Sequence, residues 1–142
     1  MRADERPRLD RIHHLSFVVR DLDAAIGRFE EWLGLPMAER GPVESRAAEV
    51  AIFRLANLSI ELVAPSTLDS SLHAHLDRYG EGFFHVAFGV ADVDTAYAAL
   101  VAAGQPMRGP PYRAYKNWRI AYFDDSASGG ITAAHLIAED AE

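Results

Sequence analysis

Three histidines and a glutamate stand at matching places in two copies of one pattern, and as a set they could hold a divalent cation. His14 opens the stretch His14-Leu15-Ser16-Phe17-Val18-Val19-Arg20-Asp21-Leu22-Asp23-Ala24-Ala25. His85 opens its echo, His85-Val86-Ala87-Phe88-Gly89-Val90-Ala91-Asp92-Val93-Asp94-Thr95-Ala96, 71 residues later. A second echo relates Ile60-Glu61-Leu62-Val63-Ala64 to Ala134-His135-Leu136-Ile137-Ala138 at an offset of 74. Glu61 and His135 therefore occupy equivalent places, as do His14 and His85. A lone histidine on a strand is usually a hydrogen-bonded core residue, but ligand-type residues at repeat-equivalent positions point to a shared site. Under a two-fold relation between the copies all four converge on one point. Three imidazoles and a carboxylate suit Zn, Fe, Co, Ni or Mn. Cysteine is absent, so any metal must be held by His, Asp or Glu. Glu61 between Ile60 and Leu62 also needs compensation, because burying an unpaired carboxylate is costly.

The elements that must position these residues repeat as well. Each copy opens with an alternating apolar strand, 12–19 or 83–90. Asp21 or Asp92 then caps a helix that runs to Leu33 or Ala103, with Gly34 or Gly104 at the helix end. Two or three strands complete each copy. Residues 46–55 and 58–64 form a hairpin, and 119–124 with 131–138 form its counterpart across the turn 125–130. The prediction is an α+β domain of two βαβββ modules at 12–65 and 83–139. Residues 66–82 link them and residues 1–11 form a disordered lead-in. Alternation puts His14, Ser16 and Val18 on one face of the first strand, and His85, Ala87 and Gly89 on one face of its repeat. Small residues beside a histidine leave room for a ligand, while the bulky opposite faces seat the helices. His13 faces away from His14 and is expected to be structural. His73 and His75 fall in the linker helix and are expected to be exposed.

With 142 residues and a net charge of −7, the chain is not built to bind nucleic acid through phosphate contacts. No apolar run approaches the ~20 residues of a bilayer span, and the charged start has no signal-peptide core, so the expected location is the cytoplasm. No Asp or Glu occurs between Thr95 and Phe123, a stretch that carries Arg108, Arg113, Lys116 and Arg119. Such a cationic island attracts an anionic small molecule. The run Tyr112-Arg113-Ala114-Tyr115-Lys116-Asn117-Trp118-Arg119 adds aromatic surface, and Arg108, Lys116, Trp118 and Arg119 are its candidate substrate-binding residues. The same aromatics could instead seal a contact between copies of the chain, for which a homodimer is the expected assembly.

From Ile12 to about Glu139 the pattern resembles the vicinal-oxygen-chelate superfamily of glyoxalases, bleomycin-resistance proteins and dioxygenases. Within it the chain is most similar to the methylmalonyl-CoA epimerase branch. The similarity is carried by Ile12-His13-His14-Leu15, Asp21-Leu22-Asp23-Ala24-Ala25, Ile60-Glu61-Leu62-Val63-Ala64-Pro65 and Gly80-Glu81-Gly82-Phe83-Phe84-His85-Val86-Ala87-Phe88. The resemblance implies a glyoxalase-like fold, paired modules around a cupped mixed sheet. It also implies a divalent metal on His14, Glu61 and His85. At the fourth position the branch has a glutamate that is both ligand and proton carrier, whereas Gly130-Ile131-Thr132-Ala133-Ala134-His135-Leu136 puts His135 there after one extra residue. His135 is then a ligand or the base itself. The resemblance offers Glu49 as first-choice base, with Ala51 and Phe53 on its face to raise its pKa. The implied activity is that of a metal-dependent isomerase, epimerase or lyase that enolises a small anionic carbonyl or acyl-thioester substrate. The alternatives are a non-haem iron extradiol-type oxygenase and a resistance-type binding protein without catalysis.

Overall fold

The computed structural model describes residues 6–140. Its backbone divides into two compact units, residues 14–84 and residues 85–140 with the described residues before 14. The fold class is α+β. In chain order the strands and helices are β1 (Ile12–Val18), α1 (Leu22–Leu33), β2 (Glu39–Val43), β3 (Ala48–Arg54), β4 (Ser59–Pro65), α2 (Leu72–Tyr79), β5 (Gly82–Gly89), α3 (Val93–Ala102), β6 (Tyr112–Arg113), β7 (Trp118–Tyr122) and β8 (Ala133–Glu139).

In residues 14–84 the strands lie in the order β2-β3-β4-β1, with β4 parallel to β1 and antiparallel to β3. The β3–β4 hairpin closes where Leu55 N–H donates to Leu58 O at 2.9 Å. Helix α1 starts where the Asp21 carboxylate accepts from Ala24 N–H at 3.1 Å. It stops at Gly34, whose φ of 72° is the left-handed turn that favours glycine. Its buried residues Leu22, Ala25 and Ile26 pack on Ala51, Phe53, Leu62 and Ala64 of β3 and β4.

Residues 85–140 repeat this plan, in the order β5-β8-β7-β6, with β8 parallel to β5 and antiparallel to β7. Asp92 caps α3 by accepting from Thr95 N–H at 2.9 Å. Val93, Ala96 and Leu100 of α3 cover Ala121, Phe123 and Leu136. Removing a side-chain cap costs about 1 kcal/mol, so Asp92→Ala is expected to lower the thermal midpoint by about 3 °C, read by calorimetry.

The module pattern extends into the registers. In β1–β4, His14 faces Ser59 and Ser16 faces Glu61; in β5–β8, His85 faces Ala133 and Ala87 faces His135. Each first-strand histidine is thus two residues along a parallel ladder, on the same face, from the ligand-type residue of the closing strand.

Two expectations change. Residues 1–5 of the lead-in lie outside the described residues, but residues 6–11 pack on the unit that holds β5. Leu9 joins the apolar cluster beneath α3, Arg6 donates to the Gln105 side chain at 2.6 Å, and Gly89 N–H donates to Arg11 O at 2.9 Å. A Cβ at Gly89 would sit 2.8 Å from the Arg11 guanidinium, the movable end of a flexible side chain. The α2 histidines are half-buried, not exposed. His75 lies 4.8 Å from the Phe84 ring and 4.9 Å from the Tyr79 ring. Burial, and then the charge of Arg46, hold its pKa below the usual imidazole value.

Candidate metal centre

Within residues 14–84, β1 and β4 bring His14, Ser16 and Glu61 together on the sheet face opposite α1. All three are buried, none more than 6% exposed. Ser16 Oγ donates to Glu61 Oε1 at 2.9 Å, and Glu61 Oε2 lies 3.3 Å from His14 Nε2. Burial pushes the Glu61 carboxyl up to about 7, while the Ser16 hydrogen bond and the charge of Arg46 pull it back. A buried carboxyl with a serine and an imidazole beside it gains most from a cation.

Within residues 85–140, β5 and β8 bring His85 and His135 together on the face opposite α3. Both are buried, and their Nε2 atoms are 3.1 Å apart. His135 Nδ1 lies 2.9 Å from Leu136 O, which can only accept, so Nδ1 carries the proton and Nε2 is left with its lone pair. Metal-binding histidines show this arrangement, one ring nitrogen tied to a carbonyl and the other offered to the ion. Tyr122 stands against both rings, its Oη 3.5 Å from His85 Nδ1.

The donor spacings fit a cation. Two ligand atoms each about 2.1 Å from one ion lie about 3.0 Å apart at a right angle and about 3.4 Å apart at a tetrahedral angle. The separations of 3.3 Å for His14–Glu61 and 3.1 Å for His85–His135 fall in that window.

The other candidate residues divide between the two sheet faces. The first-choice base, Glu49, is corrected. In the β3–β4 register Ile52 faces Glu61, whereas Glu49 faces Ala64, so Glu49 lies on the α1 side with Ala51 and Phe53. Its carboxylate accepts from Arg40 at 3.0 Å, and Arg40 also holds Asp23 of α1 at 2.5 Å. Arg119 is corrected for the same reason. It alternates with Trp118, Ile120 and Tyr122, and its guanidinium makes a forked pair with Asp94 of α3 at 2.7 and 2.9 Å. Lys116 is exposed, with its ammonium 5.5 Å from the Tyr115 ring. Trp118 is buried on the His135 face, edge-on to His13 at 5.0 Å and to Tyr115 at 5.2 Å. Arg108 reaches the pair through Tyr122, its guanidinium 4.7 Å from that ring's centre and 3.0 Å from Asp125. His13 has the expected structural place, 2.9 Å from Glu139.

Ser16, Tyr122 and Arg46 were not singled out by sequence reasoning. Ser16 shares the His14 face, and Tyr122 falls opposite His135 once β7 is paired with β8. Period-2 counting could have found both. Arg46 sits in a short turn, residues 44–46, and its guanidinium lies 5.2 Å over the Phe84 ring. No strand pattern signals it.

Residues 13–122 match the Glyoxalase/Bleomycin resistance protein/Dioxygenase superfamily. Among curated proteins, uncharacterized protein YqjC of Bacillus subtilis (strain 168) is 32% identical over 80 residues, 56% of this chain and 57% of that protein. The mitochondrial methylmalonyl-CoA epimerase of Homo sapiens is 27% identical over 93 residues, 65% of this chain and 53% of that protein. The chain thus spans little more than half the length of the curated relatives it matches. Among solved structures, a variant of Streptomyces coelicolor methylmalonyl-CoA epimerase in complex with 2-nitronate-propionyl-CoA superposes with a TM-score of 0.86 at 26% identity, over 94% of this chain and 97% of that one. A methylmalonyl-CoA epimerase in complex with methylmalonyl-CoA and NH4+ superposes with a TM-score of 0.84 at 25% identity, over 92% of this chain and 95% of that one.

Proposed function

Because the chain belongs to the glyoxalase/bleomycin resistance protein/dioxygenase superfamily, we propose that it is a divalent-metal-dependent epimerase or isomerase of 2-substituted acyl thioesters. The observation that carries this reading is the repeated donor pair: His14 with Glu61 and His85 with His135, each buried and each at the spacing of two ligands on one ion. In this reading His14, Glu61 and His85 are the ligands of a cation among Zn, Co, Ni, Mn and Fe, and His135 keeps its Nε2 lone pair for proton transfer. The acyl-CoA compounds bound by the solved epimerases support an anionic thioester as the substrate class. The reading includes the homodimer and the cytoplasmic location expected from the sequence.

The protein's own groups divide the work. With Glu49 on the helix side, the basic atom on the site face of β8 is His135 Nε2. Its Nδ1–H bond to Leu136 O holds the ring and stabilises the imidazolium formed when Nε2 takes the proton from the carbon beside the thioester carbonyl. A divalent cation supplies a Lewis acid for the charge that develops on the enolate oxygen. Ser16 fixes one Glu61 oxygen, leaving the other turned toward His14. Arg108 and Arg46 supply positive charge for an anionic substrate, the first over Tyr122 and the second close enough to Glu61 to lower its pKa.

The test is hydrogen exchange at C2 of methylmalonyl-CoA and a panel of 2-substituted acyl-CoAs in deuterated water, with Co(II), Zn(II) or Mn(II) and with a chelator. Exchange is expected with metal and is lost with the chelator. No exchange on any member by metal-loaded protein overturns the reading. Oxygen uptake with a catechol then favours the oxygenase, and tight ligand binding without turnover favours the resistance-type binder.

A further inference from the structure

We propose that Tyr122 is the positioning residue of the His85–His135 pair, its hydroxyl donating to His85 Nδ1 in the metal-free pair and accepting from Nδ1–H once His85 Nε2 becomes a ligand. The inference rests on the metal-centre reading above and adds a residue to which no role has yet been assigned.

The geometry begins with His135. Its Nδ1 proton is committed to Leu136 O at 2.9 Å, so with the ring neutral its Nε2 is an acceptor. That Nε2 faces His85 Nε2 at 3.1 Å. Two lone pairs cannot share this distance, so without a cation His85 must carry its proton on Nε2 and donate it to His135. His85 Nδ1 is then an acceptor, and the Tyr122 hydroxyl, 3.5 Å away, is placed to donate to it.

Ligation of His85 through Nε2 inverts these roles. The ring proton must sit on Nδ1, which then needs an acceptor. A hydroxyl both donates and accepts, so Tyr122 serves either tautomer by turning its O–H. Neither a carboxylate, which only accepts, nor a phenylalanine could do both. The change moves a proton from Nε2 to Nδ1 of His85 and leaves the net charge of the ring unaltered. At 3.5 Å the contact is at the outer limit of a hydrogen bond, and the fold restrains the ring that makes it. Tyr122 faces His135 in the β7–β8 register and is buried. Its ring lies 4.9 Å from the His135 ring and 5.8 Å from the His85 ring, both edge-on. The Arg108 guanidinium covers it at 4.7 Å and is itself tied to Asp125 at 3.0 Å, while Arg108 N–H donates to Tyr122 O at 2.9 Å.

The experiment compares wild type, Tyr122→Phe and Arg108→Ala by zinc titration calorimetry and by the ring nitrogen NMR shifts of His85, with and without zinc. Wild type is expected to show the Nε2–H tautomer without metal and Nδ1–H with zinc. Tyr122→Phe is expected to raise the zinc Kd about 10-fold, the lower end of the range for removing a hydrogen-bond partner of a ligand. Arg108→Ala keeps the hydroxyl but frees the ring, so it is expected to raise the Kd less. It also keeps the test open if Tyr122→Phe does not fold. An unchanged Kd in Tyr122→Phe, or in Arg108→Ala should that be the variant that folds, overturns the proposal. Zinc uptake by wild type with no change of His85 tautomer also overturns it while sparing the metal centre. Wild type that takes up no zinc overturns the metal centre itself.

Discussion

Replacing His14 or His85 with alanine is expected to lower metal-dependent exchange at the substrate carbon by about 10³-fold or more, and to remove most of the bound metal at micromolar protein. A 10³-fold loss corresponds to about 4 kcal/mol of transition-state stabilisation. That magnitude follows from losing the Lewis acid, not a single contact. Removing His14 takes away the imidazole 3.3 Å from Glu61 and leaves the Ser16 hydrogen bond, in a buried site that disfavours the charged carboxylate. Removing His85 takes away the nitrogen 3.1 Å from His135 Nε2 and leaves the second pair with one donor. His13 is the control. It adjoins His14 in the chain but points to Glu139 and Trp118, so His13→Ala is expected to keep both metal content and exchange within about threefold. Metal analysis and exchange measured on the same preparations check the result. Equal losses in all three variants would mean that unfolding, not ligand removal, is responsible.

His14 and His13 differ by one residue yet take different partners, Glu61 for one and Glu139 with Trp118 for the other, which also explains what could be read in the sequence and what could not. Strand alternation is strict, so once β1 and β5 were found their histidines fell on known faces. The two offsets, 71 for the opening strands and 74 for the closing ones, matched Glu61 with His135, and the parallel registers bear that match out. The capping aspartates and the glycine that ends α1 were equally legible, because they act through their own neighbours. Glu49 was not. Its strand is almost wholly buried on both faces, so burial pattern does not mark which side carries α1. Only pairing to β4 decides, and it opposes Ile52 to Glu61. Arg119 misled for a related reason. A run of cations reads as one patch in sequence, yet β7 sends Arg119 to Asp94 on α3 and Tyr122 to the histidines. Ion pairs between a strand and a helix distant in the chain leave no local pattern.

Glu61 is the carboxylate among the assigned ligands and is buried, so its ionisation should dominate the behaviour of the metal-free protein. Burial raises the Glu61 pKa from 4.5 in the unfolded chain to about 7 in the fold. A carboxyl shifted upward favours the folded state in its protonated form. Its contribution is therefore complete below the unfolded pKa, declines as pH rises from there, and is lost once pH passes about 7. The shift corresponds to about 3 kcal/mol. Chelator-treated wild type is expected to lose about that much unfolding free energy between pH 4 and pH 8 relative to Glu61→Gln, whose amide does not titrate. The difference amounts to about 10 °C in thermal midpoint for a chain of this size. Groups remote from the site titrate equally in both proteins, so the difference between the two curves reports Glu61 together with the His14 imidazole 3.3 Å from it. Adding Zn(II) or Co(II) at pH 8 is expected to restore stability to wild type and much less to the glutamine variant, because a cation favours the carboxylate that burial opposes. Urea unfolding at a series of pH values, with chelator and then with metal, decides the matter. Parallel curves for the two proteins without metal would place Glu61 in a solvated setting and remove the electrostatic reason for a cation beside it.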